Sequence, residues 1–230
     1  MSKTLIFRGG TSISKLCGSG RFSEDLDFIL ENGADAGTIS EGVNAALKGI
    51  SLQYAVESKA ERYRNMLKYT LKVRGPLYIA SHNLQSVQTI RLDINLFERP
   101  LMKIRQASRM PIYPDIAPYV INSLGEEELL ADKIKAIMER TEPVARDLYD
   151  AWILCAKYGI KPSLHLVESK MRLYGRYENE SFSLTKLKDR IRRIGEIWDR
   201  EMPRLMKSAP SFAVASKSLL ESLPKESGRA

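Results

Sequence analysis

No stretch of 18 or more apolar residues occurs in the sequence, so the usual signature of a membrane-spanning helix is missing. The first residues, MSKTLIFRGG, contain neither an apolar h-region nor a small-residue cleavage site, so the cytoplasm is the expected compartment and no membrane partner is expected. Cysteine and histidine are scarce. Cys17 and Cys155 lie far apart without a C-x-x-C partner, and His82 and His165 show no ligand spacing, so zinc has little support. The thiols read as buried and free, the histidines as ordinary surface residues. Internal repeats and low-complexity tracts are also missing. With 43% hydrophobic residues in a chain of 230, a real core can form and disorder is not the main feature. What the chain has in excess is positive charge, a formal +8, which favours a polyanionic partner through counterion release.

Hydrophobic periodicity changes character along the chain. In LKYTLKVRG, Leu67, Tyr69, Leu71 and Val73 alternate with Lys68, Thr70, Lys72 and Arg74, as in a half-buried strand. TIRLDINLF repeats the pattern, with Ile90, Leu92, Ile94 and Leu96 facing a core and Arg91, Asp93 and Asn95 opposite. SLQYAVES alternates around Leu52, Tyr54 and Val56, and DLDFIL does so over a shorter length, giving at least four strands before residue 100. Helices are predicted at Thr11–Leu16 and Ala36–Lys48, punctuated by Gly18, Gly20 and Gly33. Prolines 111, 114 and 118 mark a junction, after which the pattern is helical. EEELLADKIKAIMER places Leu130, Ile134, Ile137 and Met138 at helical spacing, with acids in its first turn. RDLYDAWILCAKYG stops at Gly159, and 163–174, 184–206 and 211–223 continue as helices before a frayed tail. The fold class read from this is α+β, a mixed sheet with helices over 1–118 followed by a helical bundle over 119–230.

Two short motifs carry chemistry. Asp25 and Asp27 form a D-x-D on a strand, where alternate residues share a face about 7 Å apart and can converge on one metal. Hard oxygen donors select Mg²⁺ or Mn²⁺. A D-x-D is also a common decoration of an exposed strand. Asp93 adds a third acid on the polar face of a strongly patterned strand, and three carboxylates on one face repel each other unless a cation neutralises them. Gly9, Gly10 and Thr11, with Ser12 and Ser14 behind them, precede a short helix and suit a phosphate cradle: glycines permit close approach, first-turn amides point at the anion, and a hydroxyl donates. Alone, G-G-T is as well read as a turn and cap. No G-K-[ST] follows, so it is not a Walker A loop. A phosphate cradle followed by a metal-binding strand is the arrangement of a nucleotidyl-transfer site.

FRGGTSISK, RFSEDLDF, LLADKIKAIMER and RDLYDAWIL, in that order over residues 5 to 155, resemble the AbiEii-type nucleotidyltransferase toxins of type IV toxin–antitoxin systems, within the DNA polymerase β-like nucleotidyltransferase superfamily. The resemblance implies a nucleotidyltransferase-like sheet domain and an NTP substrate held between it and the helical part. It implies that Gly9, Gly10, Thr11 and Ser12 hold the triphosphate, that Asp25 and Asp27 bind Mg²⁺ or Mn²⁺ with Asp93 as third acid, and that Lys133 reaches the triphosphate. Arg146 and Asp147, with Asp150, match the family's R-D-x-x-D, with Asp147 positioning Lys133 or the nucleotide. The implied reaction is NMP transfer to a hydroxyl of RNA, a tRNA 3′ end, in a toxin–antitoxin or phage-defence setting with a cognate antitoxin as partner. Other readings stay open at this stage: transfer to a protein or small molecule, or a silent nucleotide- or RNA-binding module. Lys133 and Arg140 also fit a solvated helical stripe, Asp147 a helix cap, and Arg146 with Asp150 a surface pair. Arg21 is either a phosphate contact or a loop solubiliser. MRLYGRYENE interleaves tyrosine and arginine as RNA-contacting surfaces do, and reads more readily as an ordinary amphipathic helix and turn.

Overall fold

The computed structural model describes residues 4–31, 33–50, 55–74, 78–79, 87–111, 116–176 and 181–224. His82, Leu52, Tyr54, Pro114, Tyr177–Glu180 and the last six residues, among the positions singled out above, lie outside the described residues. The chain divides into two compact units. Unit 1 is Met1–Ser12, Glu24–Pro100 and Ile104–Leu124; unit 2 is Ile13–Ser23, Leu101–Lys103 and Gly125–Ala230.

Unit 1 is a mixed sheet. Its strands are β1 (Leu5–Arg8), β2 (Leu26–Leu30), β3 (Ala55–Tyr63), β4 (Met66–Arg74), β5 (Gln88–Asn95), β6 (Arg105–Arg109) and β7 (Tyr119–Ser123), in the order β3-β4-β5-β2-β1-β7-β6. β2 runs antiparallel to β1 and parallel to β5, and β7 runs parallel to β1. Helix α1 (Gly9–Leu16) leaves β1 directly, and α2 (Ala36–Ile50) follows β2. Asp35 caps α2 by accepting from the Thr38 amide at 2.9 Å. The alternation read from the sequence decides the packing. Leu67, Tyr69 and Leu71 of β4, Ile94 of β5 and Leu30 of β2 close one core with Ile39 and Val43 of α2, and Ile90, Leu92 and Leu96 pack against it. Lys68, Lys72 and Arg74 stay exposed on the other side.

Three strands went unread in the sequence. β1 is only LIFR, β6 is the polar edge RQASR, and β7 follows Pro118 at once, where the prolines suggested only a junction.

Unit 2 carries α3 (Glu126–Glu139), α4 (Ala145–Tyr158), α5 (Leu164–Tyr174), α6 (Leu184–Leu205) and α7 (Phe212–Ser222), all close to the predicted spans. Ser163, Ser183 and Ser211 cap α5, α6 and α7 by accepting an amide from the first turn. α3 packs on α4, α5 and α6, so it is buried nearly all round rather than along one stripe. Burying it encloses charge. Lys170 of α5 sits fully inside, 2.7 Å from Glu128 and 2.9 Å from Asp132 of α3, and Glu128 also accepts the amides of Leu101 and Met102 at 2.9 and 3.1 Å. Cys17 and Cys155 are buried thiols outside any disulfide, as expected, and burial pushes the Cys155 thiol up to about 11. His165 is exposed. No described helix is long and apolar enough to cross a membrane.

α4 ends on Gly159, whose φ of +64° is left-handed and whose amide donates to the Cys155 and Leu154 carbonyls. A Cβ at that position would meet no neighbour within 4 Å. Gly159→Ala should therefore cost only the backbone penalty, about 1–2 kcal/mol in urea denaturation, and Gly159→Asn less, because asparagine tolerates this region.

Candidate active site

In unit 1 the register sets the acids side by side. Asp27 of β2 stands opposite Arg8 of β1 on one side and Asp93 of β5 on the other, and Asp93 stands opposite Lys68 of β4. Cross-strand partners share a face, so these four charged residues form one row across four strands. The next residue of each strand forms a second row, Phe7, Phe28, Ile94 and Leu67, on the opposite face. Phe7 and Phe28 stack with ring centres 5.0 Å apart. A period of two thus separates charge from core without any extra device.

Asp25 immediately precedes β2. One of its carboxylate oxygens, Oδ1, is buried without a hydrogen-bond partner and lies 3.7 Å from Nη1 of Arg91. Nζ of Lys68 lies 3.7 Å from Oδ2 of Asp93. The repulsion among the acids is therefore partly relieved by the protein's own cations, though long pairs between half-exposed groups contribute little. Among the described residues no three His, Cys, Asp or Glu side chains are gathered into a ready-made metal cage. Even so, the donors fit a divalent cation: they are hard carboxylate oxygens, and Asp25 has an unsatisfied acceptor. Mg²⁺ characteristically takes one or two carboxylates and completes its shell with water and substrate phosphate.

The glycine turn is built against these acids. Gly9 has a φ of +75°, and a Cβ there would press into the Asp27 carboxylate, so both the backbone and the space require glycine. Thr11 is buried and its hydroxyl donates to the Asp25 carbonyl, while the buried Ser12 hydroxyl donates to the Gly9 carbonyl at 2.9 Å. These hydroxyls were expected to face a phosphate. In the structure they tie the turn and the D-x-D segment together, and half-buried Gly9 and Gly10 form the start of α1.

In unit 2 the predicted residues meet in a buried ionic chain. Lys133 Nζ lies 3.1 Å from Asp147 Oδ1 and 2.8 Å from Asp150 Oδ2. Arg140, the C-cap residue of α3 and two turns beyond Lys133, donates through Nε to Asp147 Oδ2. At the other end Arg21 donates to both Asp150 oxygens, Nε and Nη2 at 2.6 Å each. The solvated-stripe, helix-cap and surface-pair readings do not hold: Lys133 is buried, Val144 rather than Asp147 is the N-cap of α4, and Asp150 is fully enclosed by Arg21 and Lys133. Arg146 is exposed beside them. Arg21 is 4% exposed and is neither a solubiliser nor open to a phosphate. Its Asp150 partner was missed because a lone arginine in a Gly/Ser loop carries no signal of burial. Burial opposes the Lys133 charge, yet Asp150 and Asp147 hold its pKa above the usual lysine value. Burial likewise opposes ionisation of Asp147, yet Lys133 and Arg140 hold its carboxyl below the usual range.

A family model described as "Nucleotidyl transferase AbiEii toxin, Type IV TA system" matches residues 1–221. Two crystal structures from Helicobacter pylori share the fold at 16% identity. One, of a candidate nucleotidyltransferase, has a TM-score of 0.56 and covers 95% of this chain and 84% of that one. The other, of JHP933, has a TM-score of 0.58 and covers 95% of this chain and 82% of that one. No curated protein matches the chain.

Gly9→Ala should displace Asp27 and unsettle the turn at once, so any activity that uses Asp27 should fall at least tenfold (about 1.4 kcal/mol in barrier). Asp27→Asn, which leaves the glycine intact, should melt normally while Gly9→Ala melts earlier in calorimetry. Acid titration tests the second cluster. The usual aspartate value is 3.8 and Asp147 lies below it when folded, so the stability it confers is complete above that value and lost as pH falls through the folded pKa. Asp147→Asn should flatten the stability–pH curve below about pH 4 and cost roughly 3–5 kcal/mol at neutral pH, because Lys133 and Arg140 lose a shared anion.

Proposed function

Because the chain belongs to the AbiEii nucleotidyltransferase toxin family of type IV toxin–antitoxin systems, and is a nucleotidyltransferase, we propose that it transfers NMP from an NTP to the 3′ hydroxyl of an RNA, a tRNA, in a reaction dependent on Mg²⁺ or Mn²⁺. The observation that carries this reading is the pairing of Asp27 with Asp93 in register, against a glycine turn that has no room for a side chain. Asp25, Asp27 and Asp93 are the residues that would hold the cation, which when bound supplies charge neutralisation at the triphosphate.

The chain's own residues divide the work. Gly9, Gly10 and Thr11, shaped by the Ser12 hydroxyl on the Gly9 carbonyl, offer the start of α1 to the triphosphate. Asp93 takes the proton of the attacking hydroxyl. The acceptor oxygen bonds to the α-phosphorus in line with the bond to the β-phosphate oxygen, which breaks and releases pyrophosphate. Lys133 offsets charge on the departing phosphates, held charged by Asp147 and Asp150, and exposed Arg146 contributes at the start of α4. Helices α3–α7 act as a helical bundle that supports Lys133. Exposed Lys68, Lys72 and Arg74 favour a nucleic-acid acceptor, and family membership favours an antitoxin as protein partner.

Each labelled NTP should be incubated with the protein, Mg²⁺ and total tRNA, and the RNA 3′ ends sequenced. One or more added nucleotides on tRNA is the expected outcome. Label on protein or on a small molecule with none on RNA would overturn the acceptor. Asp27→Ala should abolish transfer and leave the melt nearly unchanged or slightly raised, since it relieves repulsion between acids. Wild-type transfer by that variant would overturn the metal assignment.

A further inference from the structure

The segment Gly18–Ser23, GSGRFS, is a glycine- and serine-rich loop that unit 2 holds at several points. The Ser14 hydroxyl donates to the Ser19 and Arg21 carbonyls at 3.2 and 3.4 Å, and the Phe22 amide donates to the Leu205 carbonyl at 2.8 Å. Arg21 adds an internal bond, Nη1 to the Phe22 carbonyl at 2.9 Å, besides its fork onto Asp150. The forked contact is costly to build in the interior and would not be needed merely to fasten a loop that these hydrogen bonds already hold.

The charges around Lys133 give it a second use. Asp147 and Asp150 are enclosed while Lys133 keeps 10% of its side chain exposed, and together they carry one positive and two negative charges. Without Arg21 the two carboxylates cancel Lys133 and Arg140, and the ionic chain has no net positive charge to offer an anion. With Arg21 bound to Asp150 the enclosed group is neutral, and Arg140 at the outer end leaves the chain positive. We infer that Arg21 is a positioning residue that fixes the Asp150 carboxylate and cancels its charge, so that the Lys133 ammonium remains available to an anionic phosphate that Arg21 never touches. This rests on the proposed reading that Lys133 meets the triphosphate.

Charge and tethering can be separated by titrating the magnesium salts of the four NTPs into folded variants below their melting temperatures. Arg21→Met should weaken binding of the preferred NTP roughly tenfold, the scale of one unshielded charge several ångströms away. Arg21→Lys keeps the charge without the fork and should stay within about threefold of wild type. The double variant Arg21→Met/Asp150→Leu removes the tether completely and also the surplus carboxylate. It should bind the NTP at least threefold more tightly than Arg21→Met, and replacing a buried ion pair by apolar groups leaves it able to fold. Should Arg21→Met fail to fold, the double variant and Arg21→Lys still decide. A double variant that folds but binds tenfold more weakly than wild type overturns the inference in favour of a plain fastening role. Lys133→Met separates the two levels. Wild-type affinity in that variant removes the reading of Lys133 and this inference with it, whereas weak binding by Lys133→Met beside wild-type binding by Arg21→Met removes the inference alone.

Discussion

A carboxylate with no access to water must find its partners inside the protein, and Asp150 is such a carboxylate. Its two oxygens are met by a forked arginine from the segment after α1 and by a lysine from α3, so three separate stretches of chain must converge for α4 to be buried at all. Lys170 imposes the same demand on another side of α3, drawing Glu128, Asp132 and α5 together, while Glu128 captures the Leu101–Lys103 segment through two amides. The helix that carries Lys133 is thereby fixed by ion pairs on two sides and by apolar packing between them. A side chain on so constrained a helix has little freedom to wander.

Unit 1 solves a different problem with a simpler device. A strand alternates its faces every residue, so one register decides both where the core lies and where the acids lie. The Phe7–Phe28–Ile94–Leu67 row and the Arg8–Asp27–Asp93–Lys68 row are consecutive residues of the same four strands. The glycine turn is locked to that register through Gly9 against Asp27 and Thr11 against the Asp25 carbonyl. The row of acids and the apolar core are in this sense the same choice.

What could be read beforehand follows from how local each feature is. β4, β5, α3 and the stop at Gly159 were legible because period and cap are properties of a dozen consecutive residues. The D-x-D and Asp93 were legible as types, and their adjacency follows only from the parallel pairing of β2 with β5, across an intervening hairpin. β1, β6 and β7 were missed because strands of four or five residues without alternation derive their identity from neighbours distant in sequence. Arg21, Asp150 and Lys170 look like surface charges in the sequence. Only the fold says that they are inside.

Arg21 and Asp150 are separated by 129 positions. A ribosome adding about 5–20 residues per second needs on the order of ten seconds to make the second after the first. For that interval the nascent polypeptide holds its glycine turn and both early acids but cannot close the ionic chain. If Lys133 serves as proposed, the ionic chain behind it stays incomplete until α4 has been made, so the order of synthesis withholds this part of the site from the early polypeptide.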